Sequence, residues 1–192
     1  MKFAKVFLPI VLALVVAACA KPPQADIDAA RAAVAAAAKN ADVVAYAPDT
    51  LKAAQDKLAQ METELTAKHY DKVKALALDA KATAGTAAND AARGKEKAQA
   101  DATALIAALK KALPDAAKKV AAAKRVRGIK LDFAALTKQI SNAQAAVADA
   151  DKDLADGSFA SALQKAMAVQ AQLSDGEKAI ADAIQAAGKG KR

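Results

Sequence analysis

The sequence predicts an all-α protein, an elongated antiparallel bundle of helical hairpins with alanine-rich, coiled-coil-like seams. Along most of the chain, apolar residues recur at alternating steps of three and four, which is the spacing of one helix face. Alanine supplies most of the 55% hydrophobic fraction, whereas aromatic residues make up only 3%. Because alanine favours helix but buries little surface, we expect long helices that lie close together.

The N-terminus has the features of a bacterial export signal. Two lysines and an apolar run from Val6 to Val16 are followed by the small residues Ala17 and Ala18. The run is shorter than the about 20 residues that a membrane-spanning helix needs. We therefore predict that residues 1–18 are a signal peptide and that the chain is exported.

The residues Val16-Ala17-Ala18-Cys19 resemble the lipobox of bacterial lipoproteins, in which an aliphatic residue, a small residue and Gly or Ala precede the cysteine. The resemblance implies cleavage between Ala18 and Cys19, diacylglycerol on the Cys19 sulfur and an acyl chain (palmitate) on the freed amine. Several acyl chains on one residue would make attachment nearly permanent. The alternative is an ordinary signal peptidase that reads Ala18-Cys19-Ala20 as A-x-A and cuts after Ala20.

The residue after the cysteine bears on location. Ala20 stands where lipoproteins of enteric bacteria that stay in the inner membrane have Asp. The resemblance therefore implies the outer membrane, with the body facing the periplasm, in an organism that has one. Because Cys19 is the only cysteine, no intrachain disulfide can form, and the body must be stabilised by packing alone.

Three further segments are predicted after the signal. Residues 19–25 form the lipidated cysteine and a short extended tether, because two prolines interrupt helix there. Residues 26–187 form one helical domain, whose first helix has Ile27, Val34 and Val44 on one face and ends near Pro48. Residues 188–192, "GKGKR", form a basic tail.

The helical domain contains an internal repeat. Apolar positions from Val44 to Leu65 fall on those from Phe133 to Leu154 when the sequence is shifted by 89 residues, and in both copies an aromatic residue follows five residues later, Tyr70 or Phe159. The steps of three and four are typical of coiled-coil packing. Each copy, about 44–91 and 133–180, is therefore predicted to be an antiparallel hairpin with the aromatic at its turn.

The ends of these helices are marked by a few residues. In the second turn, we expect Gly157 to take the left-handed conformation that ends a helix. Between the copies an apolar stripe continues through Pro114, which either opens a new helix or kinks a long one. We expect Gly128 to close that segment and Asp132 to cap the next, which gives five or six helices in all.

The segment Tyr46–Ala84 resembles an uncharacterised alanine-rich domain family of bacterial envelope lipoproteins. Tyr46-Ala47-Pro48 matches the start of the family pattern, and Leu51, Ala54 and Leu58 match its "L-x-x-A-x-x-x-L" helix. The turn Ala67-Lys68-His69-Tyr70 departs from the Gly-Asp-Tyr-like turn of the family. The second copy has the glycine and lacks Tyr-Ala-Pro. The resemblance implies no catalytic residues, because none is known for the family.

Two features resemble parts of a metal site, but neither provides a full set of ligands. Asp149, Asp151 and Asp153 have the spacing that opens a calcium loop, but Leu154 and Ala160 replace the glycine and glutamate that such a loop needs. His69 has no cysteine, second histidine or spaced carboxylates near it in sequence. We predict a solvated acidic face, a surface histidine, no metal, no cofactor and no catalytic residues.

Eight basic residues against one acid, Asp115, form a charged segment: Lys110, Lys111, Lys118, Lys119, Lys124, Arg125, Arg127 and Lys130. Such a segment can attract anionic envelope polymers or phospholipid headgroups, or it can simply keep a helix soluble. Nucleic acid is not expected as a partner, because no aromatic stacking residues accompany the charges.

Three functions remain open at this level. The first is a non-catalytic, lipid-anchored periplasmic lipoprotein that acts as a scaffold, spacer or interaction module, with envelope proteins among its partners. The second is a tether that contacts or joins peptidoglycan through Lys189 and Lys191, resembling the major murein lipoprotein, although that protein ends in its bonded lysine and this chain ends in Arg192. The third is a binding module for a soluble ligand or protein, with Tyr70 and Phe159 as contacts.

Overall fold

The computed structural model describes residues 21–189, which form six α-helices and no strands. The helices are α1 (Gln24–Lys39), α2 (Ala41–Tyr46), α3 (Pro48–Thr66), α4 (Tyr70–Ala123), α5 (Phe133–Ala155) and α6 (Phe159–Lys189). The predicted all-α helical bundle is confirmed. The predicted signal peptide 1–18, Cys19, Ala20 and residues 190–192 of the tail lie outside the described residues.

Helix α4 runs through the whole bundle and is shared by two lobes. It has 54 residues, which at about 1.5 Å per residue give a length of roughly 80 Å. Its first half packs against α1, α2 and α3, and its second half packs against α5 and α6. We call these the N-terminal and C-terminal lobes. The N-terminal lobe contains the antiparallel hairpin of α3 and α4, and the C-terminal lobe contains that of α5 and α6, each closed by a short turn.

Of the two alternatives for Pro114, the structure shows the long helix, because Pro114 lies inside α4. A proline within a helix removes the backbone hydrogen bond to the residue four positions earlier, at a cost of about 3 kcal/mol. Pro114 itself is exposed, while Leu113 and Ala116 beside it are buried. Packing of those neighbours against α5 and α6 offsets the lost bond.

The core consists of narrow seams in which alanine dominates. More than half of the buried residues in the described chain are alanine. On α4 the predicted stripe from Val73 to Ala91 is buried against the N-terminal lobe, and the stripe from Ala102 to Leu113 is buried against the C-terminal lobe. A methyl group reaches a short distance, so helices with such seams must approach closely to exclude water.

The two hairpin turns have the same backbone geometry. Gly157 takes the predicted left-handed conformation with φ 78°, and Lys68, its equivalent in the repeat, takes it with φ 60°. The amide of Ser158 donates to the Asp153 carbonyl at 2.8 Å, and the amide of His69 donates to the Glu64 carbonyl at 3.0 Å. Both turns are therefore Schellman-type helix ends. The sequence did not predict a left-handed lysine.

The first helix is shorter than predicted. It ends at Lys39, and the side chain of Asn40 accepts hydrogen bonds from the amides of Asp42 (2.9 Å) and Val43 (3.4 Å), which starts the new helix α2. The break changes the phase, so Val43 is buried and Val44 is exposed. The prediction that Val44 continues the buried face of the first helix is therefore wrong.

The predicted role of Gly128 is also wrong, whereas that of Asp132 is confirmed. Helix α4 ends at Ala123, where the amides of Arg125 and Val126 donate to carbonyls three residues earlier and tighten the last turn. Gly128 has φ 88° in the loop that follows. The Asp132 side chain accepts from the amides of residues 134 and 135 at 3.0 and 2.9 Å and caps α5.

The two lobes meet at Tyr46. Its hydroxyl oxygen accepts a hydrogen bond from the amide of Ala160 at 3.3 Å, across 114 positions of the sequence. Behind it, a Cβ placed at Gly94 would lie 2.8 Å from the Tyr46 carbonyl oxygen, closer than any side chain tolerates. Next to this contact, Lys95 pairs with Asp42 at 2.9 Å. The corner at Tyr46 therefore fixes the turn of the second hairpin, at the start of α6, against the first lobe.

The left-handed residues of the two turns predict that adding a glycine at one turn stabilises the fold and that removing the glycine of the other destabilises it. Lys68→Gly should raise the free energy of unfolding by up to about 1 kcal/mol, because only glycine adopts positive φ without steric cost, and Gly157→Ala should lower it by a similar amount. Urea denaturation measures both. Lys68→Ala is the matched control, since it removes the side chain and keeps the strain; a gain as large as that of Lys68→Gly would refute the explanation.

The contact at Tyr46 predicts that Gly94→Ala lowers the free energy of unfolding by about 1–3 kcal/mol, because the methyl group displaces the Tyr46 backbone. The matched control is Gly85→Ala in the same helix, where nothing lies within 4 Å of the added Cβ. That change should raise the free energy of unfolding by about 0.5–1 kcal/mol. Equal effects of the two substitutions would contradict the close approach.

Candidate functional site at the basic end of the rod

Three of the eight basic residues take part in ion pairs on the side of the rod. Lys110 contacts Asp151 of α5 at 2.8 Å, and Lys119 contacts Glu177 of α6 at 2.6 Å. Lys118 contacts Asp115 one turn earlier in α4 at 2.9 Å. All of these groups are substantially exposed, so the pairs contribute little to stability. Two of them nevertheless connect α4 to both other helices of the C-terminal lobe.

The acid within the basic segment is held ionised by its neighbours. The hydrogen bond from Lys118 lowers the pKa of Asp115 below its ordinary value, and the charges of Lys118 and Lys119 lower it further, against a small opposing effect of desolvation. Asp115 therefore offsets part of the positive charge of α4 at every pH near neutrality.

The last four basic residues of the segment cluster at one end of the molecule. Lys124, Arg125, Arg127 and Lys130 lie in the loop between α4 and α5, all are exposed, and within residues 21–189 no carboxylate forms a salt bridge with them. Lys111, on α4, is exposed too. The loop contacts the last turns of α6, because a Cβ at Gly128 would lie 4.0 Å from that of Ala187.

We call this end of the molecule, comprising residues 124–130 and the last two turns of α6, the basic pole. Helices α4 and α6 both direct their C-termini toward it, so carbonyl dipoles with partial negative charge face the cations and stabilise them. Helix α6 also ends at this pole, at Lys189. The structure thus brings the basic loop after α4 together with the end of α6, about 60 residues later in the sequence.

An apolar groove lies beside these charges. Its floor consists of Ala123 and Ile180, which are buried, and its rim carries Val126 and Ile184, each 43% exposed. The groove has a volume of about 380 Å³, and the Lys119–Glu177 pair closes it on the side away from the pole. The groove was not predicted from the sequence. The feature that could have indicated it is Val126, an apolar residue inside the basic run "KRVRGIK".

The other candidate residues lie apart from the pole. Asp149, Asp151 and Asp153 are on α5, where each pairs with a different lysine, at positions 152, 110 and 165. Within residues 21–189, no group of three or more His, Cys, Asp or Glu side chains could hold a metal ion.

His69 does have a carboxylate partner, which sequence reasoning missed. Its Nδ1 lies 2.5 Å from Glu64, which also receives Lys72 at 3.4 Å. The hydrogen bond to His69 is the main cause that lowers the pKa of Glu64. The left-handed Lys68 turns the chain back at this point, so the pair spans the ends of the two helices. We therefore assign the Glu64–His69 pair a structural role in the first hairpin turn rather than a catalytic or metal-binding role.

The start of the described chain lies at the opposite end from the basic pole. Arg31 of α1 donates two hydrogen bonds, both of 2.8 Å, to Glu62 of α3, only four residues before the first hairpin turn. That turn leads directly into the first residue of α4. The site where Cys19 would join the body is therefore separated from the basic pole by the length of α4, roughly 80 Å.

Comparison with known proteins identifies one domain. A domain of unknown function, DUF4398, is found over residues 25–103. The resemblance of Tyr46–Ala84 to an uncharacterised domain family is thus confirmed. The matched range covers the N-terminal lobe and ends on α4 one residue past Ala102, where the hydrophobic core of the C-terminal lobe begins. No curated protein and no solved structure matches the chain. No helix within residues 21–189 has the length and apolarity needed to cross a membrane.

The pairing of Asp115 predicts its titration. We expect NMR to give a midpoint below the ordinary pKa of an aspartate, and Lys118→Ala to raise it, because the main donor is lost. A lowered pKa means that the pair stabilises the folded chain above the ordinary pKa and stops doing so as pH falls through the lowered one. Lys111→Ala removes the same charge from a neighbouring turn as a control; an equal shift there would contradict the assigned cause.

Proposed function

We propose that the protein is a lipid-anchored, non-catalytic lipoprotein of the outer membrane that acts as a spacer. Its N-terminal lipid on Cys19 would hold one end at the membrane, and the two lobes would carry the basic pole into the periplasm. The observation that carries the proposal is the placement of the two ends. The chain enters the body beside the first turn, and the basic pole lies at the far end of α4.

The shape of the body supports a structural role. Its buried surface consists of seams between helices rather than the wall of a large cavity. A cavity between α4, α5 and α6 has a volume of about 30 Å³ and a largely apolar lining that includes Val120, Ile140, Leu173 and Ile180, whereas the pockets of about 220–750 Å³ are open grooves on the surface of the C-terminal lobe. Sites for small molecules are typically about ten times larger than this cavity and, unlike the open grooves, surround most of the ligand.

A second candidate, the peptidoglycan tether, is favoured by one observation. Helix α6 ends at the basic pole, so Lys191 follows from the end of the rod that lies farthest from the lipid. A lysine at that end would be directed away from the anchoring membrane, toward the cell wall. Boiling isolated sacculi in detergent separates the candidates, because complete release of the protein excludes a covalent bond.

The binding-module alternative has less support. Tyr70 and Phe159 are partly buried at the two hairpin turns. Phe159 directly precedes Ala160, whose amide bonds to Tyr46 in the junction of the lobes. Replacing both aromatics by alanine tests this: a large loss of thermal stability indicates packing, whereas unchanged stability with loss of captured partners indicates an interface.

The anchor predicts the behaviour of Cys19→Ala. We expect this variant to be exported and cleaved, because Ala18 and Ala20 keep an A-x-A pattern, but to lose palmitate-analogue label and leave the membrane fraction. His69→Ala, at the exposed turn, is the matched control and should remain labelled and membrane-bound. Retention of Cys19→Ala at the level of the unmodified protein would overturn the lipid anchor.

A further inference from the structure

We propose that the basic pole binds the anionic phospholipid surface of a second bilayer, so that the protein bridges two membranes. The proposal rests on the spacer function, since the lipid on Cys19 would occupy the first bilayer. It adds a partner for the far end. Two observations carry it: cations without acidic partners in the described chain, and apolar side chains exposed among them.

The charge at the pole suits a phospholipid headgroup layer. Lys124, Arg125, Arg127 and Lys130 lie in one exposed loop, which packs beside the last turns of α6. Near an anionic bilayer each such residue contributes about a fivefold gain in affinity, the factor that corresponds to roughly 1 kcal/mol. The acids at this end are Asp132, whose side chain caps α5, and Asp182 on α6, so the positive charge prevails.

The exposed apolar residues distinguish a bilayer from an anionic glycan. Val126 lies between Arg125 and Arg127, and Ile184 lies across the groove from it, each 43% exposed. Basic residues that surround apolar ones match the boundary between headgroups and acyl chains, where both kinds of side chain find their preferred surroundings. A hydrated polysaccharide satisfies the cations and leaves Val126 and Ile184 in water.

The length of the rod indicates that the bilayer in question is a second one. Electrostatic attraction to a membrane decays over about 8 Å at physiological ionic strength. With the pole at the other end of α4, roughly 80 Å away, the anchoring bilayer exerts no attraction on it when the rod stands upright. A second anionic membrane that approaches the basic pole from the opposite side is attracted by the full positive charge of the pole.

Vesicle capture tests the proposal with the full-length lipidated protein purified from envelopes. The protein is inserted into phosphatidylcholine vesicles, where co-flotation confirms the anchor. Dye-labelled vesicles of phosphatidylcholine mixed with phosphatidylglycerol are then added, and captured dye is measured against vesicle concentration. We expect capture of these vesicles, weakening with added salt, and none of pure phosphatidylcholine vesicles.

Substitutions at the basic pole test which of its residues contribute to vesicle capture. Arg125→Gln with Arg127→Gln should raise the vesicle concentration for half-capture about 30-fold, the product of two single-charge effects. Lys74→Gln with Lys81→Gln, exposed lysines of the N-terminal lobe, are the matched control and should change it less than twofold. Val126→Ser should weaken capture about fivefold, because an apolar side chain is lost from the bilayer boundary.

The outcomes separate the two proposals. Failure of the protein to float with the first vesicles overturns the spacer function and with it the bridge. Normal flotation without capture of anionic vesicles overturns the bridge alone. Equal loss of capture in the pole variant and its control also overturns it, since any lysine would then serve. Binding to purified sacculi that is unaffected by Val126→Ser, without vesicle capture, would assign the pole to peptidoglycan instead.

Discussion

The structure depends on the continuity of α4. Every other helix of the described chain packs against it, and the two lobes have no common core besides it. Alanine makes such an arrangement necessary: each buried methyl group contributes little, so stability must accumulate along a great length of contact between closely spaced helices. The same property gives the molecule its elongated form, because the contact is extended by lengthening the helices rather than by thickening the core.

Two devices fix the lobes on this helix. At the Tyr46 corner, Gly94 has no side chain, so the backbone of Tyr46 can pack directly against α4. The tyrosine hydroxyl accepts a hydrogen bond from the Ala160 amide in the first turn of α6. At each hairpin turn a left-handed residue reverses the chain without a long loop. In this way the Tyr-Ala-Pro motif acquires a physical role: tyrosine joins the lobes, Ala47 is buried, and Pro48 opens α3 at a position that needs no amide donor.

Periodicity predicted most of the fold because burial on a helix repeats every three or four residues. It predicted the hairpins and the stripes of α4, whereas the cap at Asp132 was predicted from the preference of aspartate for helix N-termini. It did not predict the break at Asn40, because a polar residue inside an alanine run can either face solvent or cap a helix, and only tertiary packing decides. It did not predict a left-handed Lys68 or the Glu64–His69 pair, which exist because the second helix holds the turn in place. For the candidate site, the basic residues were visible in the sequence, whereas their division into a paired set on the side and a cluster at the pole requires the position of α6.

The molecule is a rod whose two ends have different chemistry, so the distance between those ends is the quantity on which the proposed function depends. It can be measured by energy transfer between dyes at His69→Cys and Lys124→Cys, at the two ends of α4. A continuous helix through Pro114 predicts a single population near 80 Å, from about 1.5 Å per residue. A population near about 55 Å would mean that the chain reverses at Pro114, because the roughly ten residues beyond it would then run back along the roughly 45 before it. The pole would then not lie at the far end of the rod, and the spacer would be contradicted.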